Sequence, residues 1–297
     1  MKNSSDKQKR SLKSRKILLA IDASTSNVHY LEKAAELAFL LNAQLSCLYI
    51  EDEDLLAAAD LPFVKEVCLH VNEKTIDQVQ IERDMELFSC KTRVCFEEIA
   101  ARWKINGSFQ TVRGKVIGEL SQAAQTADIL SYGMQVFRDL QNSNLSVENI
   151  HADLPWLLLP DQIANGDDII VFASNEKPLE ELLAPVNGLV KRSRVIVFCT
   201  PKIYSENKER ISDFLRHSVM ASQVVINAGR VNDWNFDLLS NYNPGLIVVD
   251  KNSDFSKSKN FYILMSLAKA PGLLVGKSSG KIRAESEGES TKCRRIT

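Results

Sequence analysis

Long apolar runs, aromatic residues and an excess of charge of either sign are all scarce in these 297 residues. No stretch approaches the roughly 20 apolar residues of a membrane span, so no membrane segment is expected. The apolar run 17–21 stops at Asp22 and is too short for a secretory signal core. Aromatics make up only 7%, which disfavours a base-stacking platform. Lys plus Arg is 37 and Asp plus Glu is 38, a formal net charge of −1, so no global field draws the chain to nucleic acid or an anionic membrane. The six cysteines, Cys47, Cys68, Cys90, Cys95, Cys199 and Cys293, form no C-x-x-C pair. On one helix, Cys90 and Cys95 would stand about 140° apart, poor geometry for a bridge or a shared metal. His29, His70, His151 and His217 are scattered, so no metal site is expected. Such thiols fit a reducing cytoplasm, the expected compartment. P-loop, dinucleotide-binding and nucleophile-elbow glycine motifs are absent.

What is present is ordinary for a globular chain: 44% apolar and 25% charged residues. The length is about twice the usual domain mode of roughly 100–150 residues. Residues 16–22 (KILLAID) read as a buried parallel strand ending in a carboxylate. Residues 29–42 place Leu31, Ala34, Ala35, Ala38 and Leu41 at helical spacing. Residues 43–50 are a second strand, and 52–60 an acidic, alanine-rich stretch ahead of Pro62. A polar helix is expected from about 64 to 104, closed by Asn106-Gly107. Strands follow at 109–112, 128–133 and 154–159, with a connection at 114–118 and a short helix at 119–126.

The plan then repeats. Strands are expected at 168–173, 194–200, 223–228, 245–250 and 272–275. Helices are expected at 179–190, divided near Pro185 and Gly188, and at 207–220, 233–242 and 261–270. Strands alternating with helices argue for a parallel sheet covered on both faces. The repeat implies tandem domains. The expected organisation is a disordered basic tail over 1–14, a first domain over 15–161, a second over 167–277 and a disordered tail over 278–297.

The first half resembles the universal stress protein family, within the adenine-nucleotide alpha hydrolase-like superfamily. The resemblance rests on 16–22, the helix 29–45 (HYLEKAAELAFLLNAQL), Gly118-Glu119-Leu120 to Ala127, the strand 128–133 and 154–160. The second half matches more weakly, in topology and apolar pattern. The implied fold class is α/β, with two tandem five-stranded parallel-sheet domains of universal stress protein type. ATP-binding members end the fourth strand with Gly-x2-Gly-x9-Gly-Ser/Thr, where glycines let backbone amides approach phosphate. Laid from Gly133, the pattern meets Val136, Ser146 and Val147, so only Gly133 matches. Asp22 matches the family's strand-end carboxylate, which faces the nucleoside and can accept hydrogen bonds from ribose hydroxyls. The resemblance thus makes Asp22 and Gly133 the candidate nucleotide-binding residues, with ATP or AMP as ligand. Arg138 is a possible cation beside them, offset by Asp139.

In the second copy Ser174 replaces Asp22, and Lys251-Asn252-Ser253-Asp254 follows Asp250 without a glycine pattern. No competent nucleotide site is expected there. The carboxylates Glu51 to Asp54 read as a solvated loop. No catalytic residue is assigned, so the chain is not expected to be an enzyme. Three readings remain open: a non-catalytic stress-response protein acting through protein contacts, an ATP or AMP sensor using the first domain, and a divergent enzyme of the superfamily. The two domains are expected to pack on each other through 154–159 and 272–275, with a homodimer and an unidentified protein as further partners.

Overall fold

The structure, a computed structural model, describes residues 15–22, 28–59, 65–68, 71–75, 78–134, 154–173, 177–217, 220, 222–226 and 236–276. In chain order the strands are β1 (Arg15–Asp22), β2 (Ala43–Asp52), β3 (Lys65–Cys68), β4 (Val71–Thr75), β5 (Gly107–Gly114), β6 (Ile129–Gly133) and β7 (Trp156–Leu159). They continue with β8 (Asp168–Phe172), β9 (Val195–Cys199), β10 (Gln223–Ile226), β11 (Pro244–Asp250) and β12 (Gly272–Val275). The helices are α1 (Val28–Leu40), α2 (Glu53–Ala59), α3 (Gln78–Trp103) and α4 (Val116–Ala124), then α5 (Leu179–Leu183), α6 (Asn187–Val190), α7 (Pro201–His217) and α8 (Lys259–Ala268).

Ten strands form one sheet in the order β10-β9-β8-β11-β12-β7-β6-β1-β2-β5. Five belong to each half of the chain, and within each half all neighbours are parallel. The halves meet where β7 and β12 pair antiparallel, with Leu157 opposite Leu273 and Trp156 opposite Leu274. The inner strands are apolar throughout because both faces of the sheet are covered. Alternate side chains feed two separate layers. Ile17, Leu19 and Ile21 enter one, and Leu18 and Ala20 the other. Both layers cross the seam: Leu157 and Leu273 lie in the first, Trp156, Leu158 and Leu274 in the second.

Polar contacts tie the halves as well. Arg15 Nη1 donates to the Pro185 carbonyl at 2.6 Å, and in the linker the Ala164 amide donates to the Lys269 carbonyl at 2.7 Å. At the start of β8 a Cβ on Gly166 would stand 2.2 Å from the Pro244 carbonyl oxygen, so only glycine fits between linker and β11.

Several expectations change. The helix expected from 64 to 104 begins only at Gln78. Ahead of it β3 and β4 form an antiparallel hairpin whose register sets Glu66 opposite Lys74. The β-branched Val67, Val71 and Thr75 favour extended backbone over helix. The connection read at 114–118 is partly helical, since α4 starts at Val116 and tolerates Gly118, where an added Cβ would meet nothing within 4 Å. The third strand spans eight residues rather than four. α7 begins at Pro201, a favoured first helical position, and is irregular at Asn207. The division near Pro185 is present as a 3-10 turn, Ala184–Val186, between α5 and α6. The segment 236–241 is likewise a 3-10 turn. The tails 1–14 and 278–297 lie outside the described residues.

Candidate functional site

In the first half the strand order reverses at β1: the chain moves outward to β2 and β5, then returns to β6 on the other side. Ligands of open α/β sheets bind beyond the strand carboxyl ends at such a switch point. β1 and β6 are parallel neighbours, with Leu18 beside Leu130, so their last residues, Asp22 and Gly133, end side by side. The backbone thus brings the two candidate residues together. The loop 23–27 and the phosphate-loop positions Val136, Arg138, Ser146 and Val147 lie outside the described residues.

Gly133 has a packing reason to be glycine. An added Cβ would stand 2.8 Å from Cε2 of Tyr30 and 3.2 Å from its Cζ. Tyr30 is buried at the start of α1, and its hydroxyl donates to Asp161 Oδ1 at 2.5 Å. Burial, then this hydrogen bond and the negative charge of Asp161, push the Tyr30 hydroxyl well above its ordinary pKa and keep it a neutral donor. Beside it Met134, Pro160, Asp161 and Gln162 from the first half and Met265 and Ser266 from α8 line an open cavity of about 200 Å³. The sequence reading missed Tyr30 and Asp161. The available signal was an Asp directly after the strand-ending Pro160, at the same carboxyl edge as Asp22.

The acidic stretch is not a solvated loop. Glu51 and Asp52 end β2, and Glu53 and Asp54 begin α2. Arg113 Nε donates to the buried Glu51 at 3.0 Å, and Arg113 Nη1 to Glu82 at 3.2 Å. Asp52 Oδ1 accepts the Asp54 amide at 3.0 Å, an N-terminal cap for α2. Among the described residues no three His, Cys, Asp or Glu side chains group as metal ligands. Among them, too, no helix is long and apolar enough to cross a membrane.

Among the described residues, the equivalent edge of the second half is occupied by its own groups. Ser174 lies outside the described residues. The buried Asp250 accepts the Asn252 amide at Oδ1, 3.0 Å away, and the Ser253 amide at its carbonyl, 3.1 Å away. The Ser256 amide donates to Ser253 Oγ at 3.3 Å. These amides, which would have to face a phosphate, are therefore engaged within the loop. Lys177 is buried with its ammonium on the Val275 and Gly276 carbonyls, and Lys251 Nζ sits 3.2 Å from the centroid of the Trp156 ring. Both cations face carbonyls or an indole.

No protein-family model matches the chain, and no curated protein matches it. Among solved structures it is similar to a universal stress protein from Archaeoglobus fulgidus DSM 4304, at 12% identity and a TM-score of 0.60, over 90% of this chain and 97% of that one. A protein of the universal stress protein family from Burkholderia pseudomallei aligns at 22% identity and a TM-score of 0.32, over 49% of this chain and 95% of that one. A universal stress protein in complex with cAMP aligns at 15% identity and a TM-score of 0.26, over 40% of this chain and 72% of that one. The first likeness spans both halves, and the chain has the universal stress protein fold.

Proposed function

We propose that this chain is a non-catalytic, cytoplasmic stress-response protein of universal stress protein type that acts through protein contacts. The observation that carries the reading is the self-bonded loop after β11, at the strand edge of the second half. The Asn252, Ser253 and Ser256 amides are engaged within 250–256, and Lys177 lies on the Val275 and Gly276 carbonyls. A phosphate would have to displace those bonds before finding a donor. In the first half the single glycine of the nucleotide pattern is accounted for by the ring of Tyr30. The family role enters as a fold-level analogy, and the site carries the argument.

A second reading assigns ATP or AMP to the first half, at Asp22 and Gly133. The adjacency of their strand ends at the switch point favours it. Calorimetric titration of the intact chain with ATP and with AMP, both with magnesium, separates the two. The protein-contact reading expects no saturable heat below about 1 mM. Saturation at about 100 µM or tighter, abolished by Asp22→Ala, would replace it with the nucleotide sensor.

A further inference from the structure

We propose that the outward face of α3 is a self-association surface, through which two copies of this chain pair with their α3 helices antiparallel about a twofold axis near Cys90. At about 100° per residue, the buried Met85, Ser89, Thr92, Phe96 and Ile99 occupy one side of the helix, the side packed on the protein. Val79, Leu87, Cys90, Val94 and Ala101 fall within a stripe about 80° wide on the opposite side. All five are exposed, Val79 and Leu87 at 50% and Val94 at 54%. Leu87, Val94 and Ala101 repeat at seven residues with Cys90 between the first two, the spacing of a two-helix seam.

The charges in the stripe select a second copy, and its direction. Arg83 lies toward the N-terminal end and Glu97 toward the C-terminal end, each seven residues from Cys90. Among the described residues neither is in an ion pair. A parallel pair would set Arg83 against Arg83 and Glu97 against Glu97. An antiparallel pair centred on Cys90 sets each Arg83 against Glu97 of the second copy, twice by symmetry, and Val79 against Ala101. Leu87 then lies between Cys90 and Val94 of the second copy. The stripe is therefore complementary to its own reverse, as a closed isologous contact requires. From 79 to 101 it is ~34 Å long, near the ~1,000 Å² floor for specific interfaces, so the dimer is weak and concentration-dependent. The proposal holds whether or not a nucleotide binds the first half.

Sedimentation equilibrium of the full chain across micromolar concentrations, with Arg83→Glu, Glu97→Arg and the double variant, tests it. Each single variant should weaken the dimer about tenfold, and the double variant should restore it. These side chains are exposed, so circular dichroism should show unchanged folding. A short bismaleimide should cross-link the native chain, and the product should disappear in Cys90→Ser and fall in Arg83→Glu. A chain that stays monomeric up to about 1 mM would overturn the proposal. So would a dimer indifferent to both charge reversals, or one that the double variant does not recover.

Discussion

Replacing Gly133 with alanine would place a methyl carbon 2.8 Å from Cε2 of Tyr30, where carbon atoms normally stand about 3.5–4.0 Å apart. Backbone strain is not at issue, because Gly133 does not have a positive φ. The ring must therefore move by ~1 Å. It has little room, since Tyr30 is 3% exposed and its hydroxyl is held 2.5 Å from Asp161. Overpacking of this kind costs about 1–3 kcal/mol, and losing a hydrogen bond to a carboxylate about 1.5–3 kcal/mol. The two partly relieve one another, so the expected loss is about 2–4 kcal/mol. Urea unfolding followed by circular dichroism measures it, and the melting temperature should fall by roughly 5–15 °C. Adding Tyr30→Leu should remove most of the penalty of Gly133→Ala, a coupling of about 1–3 kcal/mol in a double-mutant cycle. If Gly133→Ala stayed within about 0.5 kcal/mol of the native chain, or the cycle showed no coupling, clearance for Tyr30 would not be the reason for glycine at the end of β6.

Among the described residues the buried Ser131 Oγ has no hydrogen-bond partner, so Ser131→Ala should raise stability by about 1 kcal/mol in the same assay, and a clear loss would refute that account. Burial pushes the Asp168 carboxyl up, but the Arg194 hydrogen bonds at 2.9 and 2.6 Å, the Asn243 amide and the Arg194 charge hold it below its ordinary 3.8. Its contribution is complete above the unfolded value and lost as pH falls through the folded one; Asp168→Asn should flatten stability between about pH 5 and 2, and an unchanged acid limb would contradict this. Of Cys47, Cys90, Cys95 and Cys199, only Cys90 is exposed, whereas burial raises the Cys47 thiol strongly and pushes Cys199 up to about 11. A maleimide at about pH 8 should therefore label Cys90 ahead of Cys47, Cys95 and Cys199, and early labelling of Cys47 or Cys199 would be inconsistent with their burial. Leu158→Ala beside the seam should cost about 2–5 kcal/mol, and fluorescence and far-UV transitions should still coincide, because the apolar layers join the halves. Two separated transitions would show that they unfold independently.

The strands most legible in the sequence are those buried on both faces. Residues 17–21, 195–199 and 246–249 are unbroken apolar runs because no side of them meets water. The β3–β4 hairpin was not legible, since its sequence, KEVC then VNEKT, has neither helical nor clean alternating periodicity. The start of α4 was hidden by Gly118, which marks a turn in most contexts but lies on an open helix surface here. At the candidate site, Asp22 and Gly133 could be named from strand ends. The contact of Tyr30 with Asp161 joins residues 131 apart in sequence and has no local signature. At the strand edge of the second half, Lys177 reaches carbonyls 98 and 99 residues away, equally beyond local pattern.

The antiparallel meeting of β7 and β12 also fixes which way each half faces. Strands in the first half finish on one long edge of the sheet, where Asp22, Gly133 and Asp161 gather, and those in the second finish on the opposite edge, at Asp250 and Lys251. No single small molecule can touch both edges. A change at one would reach the other lengthwise, along strands of about five residues, ~17 Å, and through the two apolar layers that cross the β7–β12 joint. The two edges thus open in opposite directions while the same two apolar layers run beneath both.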